Sequence, residues 1–445
     1  MAIQSIAHQQ SEREETASSP TGGSSRILFR FVVVYFALYC FFTQILTSLA
    51  PIPNVDWIPV DLTRVPPMRW FVLWVSRHVF RMPTPPNDTD TGSGDTHFDW
   101  IALFCLLTIA VVGTAIWIAF DPKCKWHGSV AKWFRVGTRI CLAGQMIIYG
   151  MDKAIPLQMP FPNLSRLIEP YGNLSPMGVL WASIGSAPAY EVFAGCAELL
   201  GGILLFFPRT TMLGALICLA DMVQVFMLNM TYDVPVKLLS FHLILLSLVL
   251  LAPDFPHLLR FFVSNRATQP SLDPLLLAGT RSNRIAVPFQ IAFLLWLLAA
   301  NAYGAFVGWH TYGSGAPQSP LYGIWDIDQF VVDGQERAAL ISDNERFRRA
   351  IFEYPTRMAF QRMDDSLAQY ESVLDSRSET LKLTKDNDKK WKADLSFKRD
   401  SKERLTLDGS MGEHSMHMEL RMVDRKKFLL VNRGFHWVQD APFNR

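Results

Sequence analysis

Charge is scarce in this 445-residue sequence: Asp, Glu, Lys and Arg make up 18% of it, against about 25% in ordinary soluble domains. The shortage is uneven. Residues 100–120 contain no charged side chain, whereas 385–404 alternate lysines and arginines with acids such as Asp388, Asp394 and Asp400. A net charge of +2 is too small to imply a nucleic-acid partner, and none is expected. No Cys-x-x-Cys occurs, and none of the six cysteines lies beyond Cys218. That excludes a disulfide framework from the C-terminal part. Cysteines in apolar runs act as small hydrophobes. H-E-x-x-H, G-x-S-x-G, Walker-type and G-x-G-x-x-G patterns are all missing, so the zinc, serine-hydrolase and nucleotide-binding classes lack their signatures. No metal set is expected.

What is present is lipid-length apolar sequence. A span needs roughly 20 mostly apolar residues. Seven segments meet that need: Ile27–Ala50, Trp100–Phe120, Lys132–Met151, Ala189–Phe207, Thr210–Met230, Val236–Ala252 and Ile285–Gly308. Residues 1–26, polar and rich in Gln, Glu and Ser, are expected to be disordered. The first apolar run has no A-x-A site after it and reads as a retained span, not a signal peptide. Pro66–Met82 is too short and too basic to cross. Its Trp70, Trp74, Arg69, Arg77 and Arg81 suit a helix lying in the interface. Residues 83–97 read as a linker, completing a first section over 27–99 ahead of the bundle at 100–308.

Lys and Arg favour the side that carries the N-terminus. With the N-terminus cytoplasmic and seven spans, the C-terminal part is expected outside the cytoplasm. That part, 319–445, has strand periodicity. Trp391, Ala393, Leu395 and Phe397 alternate with Lys392, Asp394, Ser396 and Lys398; Met416, Met418, Leu420 and Met422 alternate with His417, Glu419 and Arg421. Period-two patterning means strands with one wet and one dry face, here building a closed barrel or sandwich. On this reading His414-Ser415-Met416-His417-Met418 is barrel core rather than a copper site, because alternation sends His417 and its methionine neighbours to opposite faces. The opening Gly323-Ile324-Trp325 resembles the start of lipocalin-type barrels.

Charge inside a membrane is costly and therefore functional by default. Glu191 and Glu198 sit seven residues apart, Asp221 and His242 lie on the next two spans, and Arg139 and Gln145 lie on the third. Counting about 1.5 Å per residue from the intervening turns, Glu198, Asp221 and His242 fall at one depth near mid-membrane. Lys153 lies at the outer level, where Glu191 is its expected partner. Such a buried polar site suits a proton relay or the polar head of a small ligand. The plainer reading is polar glue between helices, about 1 kcal/mol per hydrogen bond. Ala194, Ala197, Gly201 and Gly202 read as bundle packing.

Residues 135–252 resemble the DoxX/DoxD family of bacterial membrane proteins. The resemblance is carried by Arg139 and Gly144, by Gly150-Met151-Asp152-Lys153, by Phe193-Ala194-Gly195-Cys196-Ala197-Glu198-Leu199-Leu200-Gly201-Gly202, and by Asp221. It implies a four-helix core, a bacterial inner-membrane location, and a redox- or quinone-linked membrane subunit working with a redox partner protein. A quinone is the cofactor such a site would take. Two other readings use the same residues or the remainder of the chain: a proton-coupled small-molecule transporter, and a membrane-anchored binding or assembly factor acting through its β-domain.

Overall fold

The structure is a computed structural model that describes residues 23–51, 61–123, 127–265, 280–385 and 387–444. The polar stretch expected to be disordered lies outside the described residues as far as residue 22; Gly23–Arg26 already belong to the first helix. Two compact units emerge, Met1–Ile155 with Val192–Phe306, and Pro156–Glu191 with Val307–Arg445.

The first unit is helical. Its helices are α1 (Gly23–Phe42), α2 (Met68–His78), α3 (His97–Phe120) and α4 (His127–Ala154). After α5 (Pro176–Gly185), which belongs to the second unit, come α6 (Pro188–Phe206), α7 (Thr211–Thr231), α8 (Lys237–Leu251), α9 (Phe255–Phe262) and α10 (Thr280–Thr311). Among the described residues, six helical stretches are long and apolar enough to cross a membrane: Ser24–Phe42, His97–Phe120, Pro188–Phe206, Pro208–Thr231, Lys237–Phe262 and Ala286–Thr311. The expected seventh, Lys132–Met151, falls within α4. That helix has 28 residues, but Lys132, Arg135, Arg139, Asp152 and Lys153 dilute its hydropathy. Several of these charges are satisfied inside the unit. Arg135 pairs with Asp254 at 2.8 Å and donates to Leu250 O, and Arg139 donates to Thr211 Oγ1.

The first span is also shorter than Ile27–Ala50. The helix stops at Phe42, Thr43 turns extended (ψ 176°), and Gln44–Thr47 forms a separate turn of helix. Helix α2 leaves Trp70 and Trp74 exposed. The segment read as a linker is tied down. Asp88 pairs with Arg69 at 2.5 Å, and the Asp95 carboxylate accepts from Lys237 N and Leu238 N at the start of α8. A carboxylate there satisfies orphan amides and opposes the helix dipole.

In the second unit, eight strands close into a barrel. They are β1 (Gly323–Val332), β3 (Phe347–Tyr354), β4 (Arg357–Arg362), β5 (Leu367–Asp375), β6 (Thr380–Lys385), β7 (Asp388–Lys398), β8 (Arg404–Met411) and β9 (His414–Met422), with the short β2 (Gln335–Glu336) hairpinned onto β1. Every neighbour pair is antiparallel, and β1 with β9 closes the ring, Trp325 opposite Met422 and Val332 opposite Met416. The alternation read from sequence holds: Ala393, Leu395 and Phe397 are buried while Lys392, Asp394 and Ser396 are exposed. Trp325, Phe330, Phe347, Phe360 and Tyr370 fill the interior, the filling expected of eight strands. Gly409 has φ +152°, and a Cβ there would meet Asp394 O and Leu395 Cα, so only glycine fits. Leu164, in the short helix Leu164–Ile168, packs with Ile324, Ile351 and Ala359 on the outside of the barrel.

Candidate functional site

Two buried polar clusters of the first unit contain residues singled out from sequence. In the first, Lys153 near the end of α4 forms an ion pair with Glu198 of α6, both almost wholly buried. Glycine makes the approach feasible. A Cβ at Gly150 would lie 2.8 Å from Leu199 N, and one at Gly195 would lie 2.6 Å from Gly150 O. The two backbones therefore touch, and the long lysine stem reaches across to the carboxylate. Asp221 of α7 is within electrostatic range of both charges. Among the described residues, Glu198 Oε2 and Asp221 Oδ2 are buried without a hydrogen-bond partner.

The second cluster centres on His242 of α8. Its Nδ1 donates to Leu238 O at 2.6 Å, which leaves Nε2 to accept from the Tyr35 hydroxyl, also at 2.6 Å. Tyr39 stacks on the imidazole, with ring centres 3.8 Å apart and planes within 10°. Tyr35 and Tyr39 are one turn apart on α1 and so share a face.

A cleft of about 490 Å³ opens beside this stack. Tyr39, His242 and Leu106 form part of its apolar wall; Asp61, Arg64 and Asp99 line it with charge. Arg64 pairs with Asp99 at 2.7 Å and approaches Asp61 at 3.7 Å. Burial lifts the Asp61 carboxyl above its ordinary range, against the lowering effect of Thr63 hydrogen bonds and the Arg64 charge.

The two clusters are linked. Gln44 Nε2 donates to the Tyr149 hydroxyl at 2.8 Å and to Gln145 Oε1 at 3.3 Å, and Gln145 Nε2 donates to Ser48 Oγ at 2.6 Å. Tyr149 and Gln44 both line the cleft, and Tyr149 lies within electrostatic range of Glu198 and Asp152. The helix break at Thr43 is what turns Gln44 inward.

Of the residues singled out from sequence, the structure brings Glu198, Asp221 and Lys153 together and places Gln145 on the linking chain. His242 belongs to the tyrosine cluster instead. Matching depth put it level with the two acids, but depth says nothing of which way a helix is turned. Lys153 pairs with Glu198 rather than Glu191; Glu191 accepts from Met159 N at 2.9 Å within the second unit. Arg139 is engaged with Thr211, away from both clusters. Tyr35, Tyr39, Gln44, Tyr149, Asp61 and Arg64 escaped notice. Polar-tipped aromatics one turn apart in an apolar span were the available signal. No cluster of metal-ligating side chains occurs among the described residues.

Across 116 residues, 26% of this chain and 73% of the relative, the sequence is 33% identical to "Uncharacterized protein YwoB" of Bacillus subtilis (strain 168). The chain belongs to the YwoB family. That name assigns YwoB no activity, so membership carries kinship without chemistry. No family model matches the chain, and no solved structure matches it.

Proposed function

We propose that this chain is a quinone-linked subunit of a bacterial inner membrane, built on a DoxX-like core. One observation carries the reading: the closed Tyr39–His242 stack lines a cleft whose polar wall continues through Gln44 and Tyr149 toward Lys153, Glu198 and Asp221. Reduction of a quinone takes up two electrons and two protons. The cleft wall made by that stack with Leu103 and Leu106 suits a planar ring, which packs against aromatic and apolar side chains. Glu198 and Asp221 are groups able to hold protons, and the hydroxyl and amide between them and the cleft suit proton passage. Electrons would come from a redox partner protein.

On this reading α4 is the seventh crossing, since 28 residues of helix extend about 42 Å. The N-terminus is then cytoplasmic and the barrel lies outside.

The test is direct. Decylubiquinone titrated into the detergent-purified chain should bind saturably, and Tyr39→Ala or His242→Leu should weaken it about tenfold, the equivalent of ~1.4 kcal/mol. Absence of saturable binding by the unaltered chain would overturn the reading. The buried ion pair with Asp221 at hand also favours a second reading, a proton-coupled carrier. Substrate uptake by proteoliposomes driven by a pH gradient, without quinone binding, would select it.

A further inference from the structure

A second cleft, of about 370 Å³, lies wholly within the second unit. Its rim is aromatic: Phe161, Trp181, Tyr312, Tyr322 and Tyr354. Between these rings stand Arg166, Glu353 and Arg425, and the Arg166 charge is met by a carboxylate outside the lining. Arg166 pairs with Glu169 at 2.7 Å. Glu353 lies within electrostatic range of Arg425. Glu353 is half committed, its Oε1 accepting from Leu164 N at 2.9 Å, which leaves one carboxylate oxygen for a ligand. Arg425 donates through Nη1 to the Tyr322 hydroxyl at 3.0 Å, and its Nε is buried with no hydrogen-bond partner among the described residues.

This pairing of features narrows the ligand. An anion would meet the Glu353 carboxylate, and a cation would meet the Arg425 guanidinium. A hydroxyl suits both, donating to a carboxylate oxygen and accepting from a guanidinium N–H. Several hydroxyls on a ring with one apolar face would also use the aromatic walls, because a C–H face packs on a π surface. A few placed polar groups among apolar walls is the usual composition of a small-molecule site. We infer that this cleft binds a neutral saccharide, with Trp181 and Tyr312 as stacking platforms and Glu353 with Arg425 gripping ring hydroxyls. The volume suits one or two sugar rings. The inference is independent of quinone binding, since it uses no residue of the first unit.

The full-length chain, purified in lauryldimethylamine oxide so that no sugar-headed detergent competes, is titrated by calorimetry with maltose and with N,N′-diacetylchitobiose. Glucuronate and glucosamine serve as charged controls. At least one neutral disaccharide should bind saturably and more tightly than either charged sugar. Tyr312→Ala, at an exposed position, and Arg425→Ala should each weaken that binding about tenfold while leaving decylubiquinone titration unchanged. Saturable binding of neither neutral disaccharide overturns the proposal. So does tighter binding of glucuronate or glucosamine, or undiminished binding by a folded Tyr312→Ala chain.

Discussion

Lys153 and Glu198 show what a single pair of residues can commit an apolar helical unit to. Both are buried, and each is tolerable only because the other is present. Taking two ions out of water is expensive, and much of what their attraction returns is spent on that desolvation. The pair is therefore weak as a source of stability but severe in its dependence on both members. Lys153→Met, which strands the carboxylate, should destabilise the detergent-solubilised chain by about 3–5 kcal/mol. Adding Glu198→Leu should restore most of that loss. Thermal unfolding of the two variants checks the order; a double variant less stable than the single one would show that the pair is a net stabiliser. Sequence showed that these residues were unusual, since charge in an apolar helix stands out. It did not show the partner. Sequence-derived depth puts Lys153 level with Glu191, not with the deeper Glu198; the Gly150–Gly195 approach and the long lysine stem select the second.

At the scale of elements, closure of the barrel concentrates on the β1–β9 seam. Asp333, just past β1, accepts from His414 Nδ1 at 2.7 Å and from Ser415 N at 2.9 Å at the start of β9. The hydrogen bond from His414 holds the Asp333 carboxyl below its usual range, and Asp333 in turn raises His414 above the ordinary histidine value. The signs set a window. A histidine raised in the folded state contributes stability that is complete below about pH 6.5 and is lost as pH rises through its raised value. A lowered aspartate contributes above about pH 3.9 and loses its share as pH falls through its lowered value. The seam is thus tightest between these limits. Hydrogen exchange in 414–422, corrected for intrinsic rates, should be slower at pH 6 than at pH 8.5, and His414→Ala should remove the difference. An equal pH effect in the variant would place the cause elsewhere. The strands themselves were legible. The alternation over 391–398 and 416–422 gave both the elements and their dry faces, because sheet periodicity is local. The break at Thr43 was not legible. Thr43 and Gln44 are only mildly polar within a long apolar run, and it is the hydrogen bonds to Tyr149 and Gln145 that reward leaving the helix there.

For the whole molecule, two kinds of sequence divide the chain: among the described residues, six helices long and apolar enough to cross a membrane, and an eight-stranded barrel whose outer strand positions carry Lys, Asp and Arg. Topology is the property on which the proposed function depends. With α4 as a crossing helix, alkaline phosphatase fused after Arg445 should be active, and a fluorescent protein that matures only in the cytoplasm should stay dark there. The reverse pair of results would place the barrel in the cytoplasm and remove α4, or another helix, from the set that crosses. The sequence by itself determined this division, since mean hydropathy and strand alternation are sums over neighbours and need no partner to be read. Tertiary structure alone decided which polar groups meet: Lys153 with Glu198, His242 with Tyr35 and Tyr39, Gln44 with Tyr149. Those meetings depend on how far each helix is rotated about its axis and how closely glycines let it approach, and neither quantity is written in any one stretch of chain.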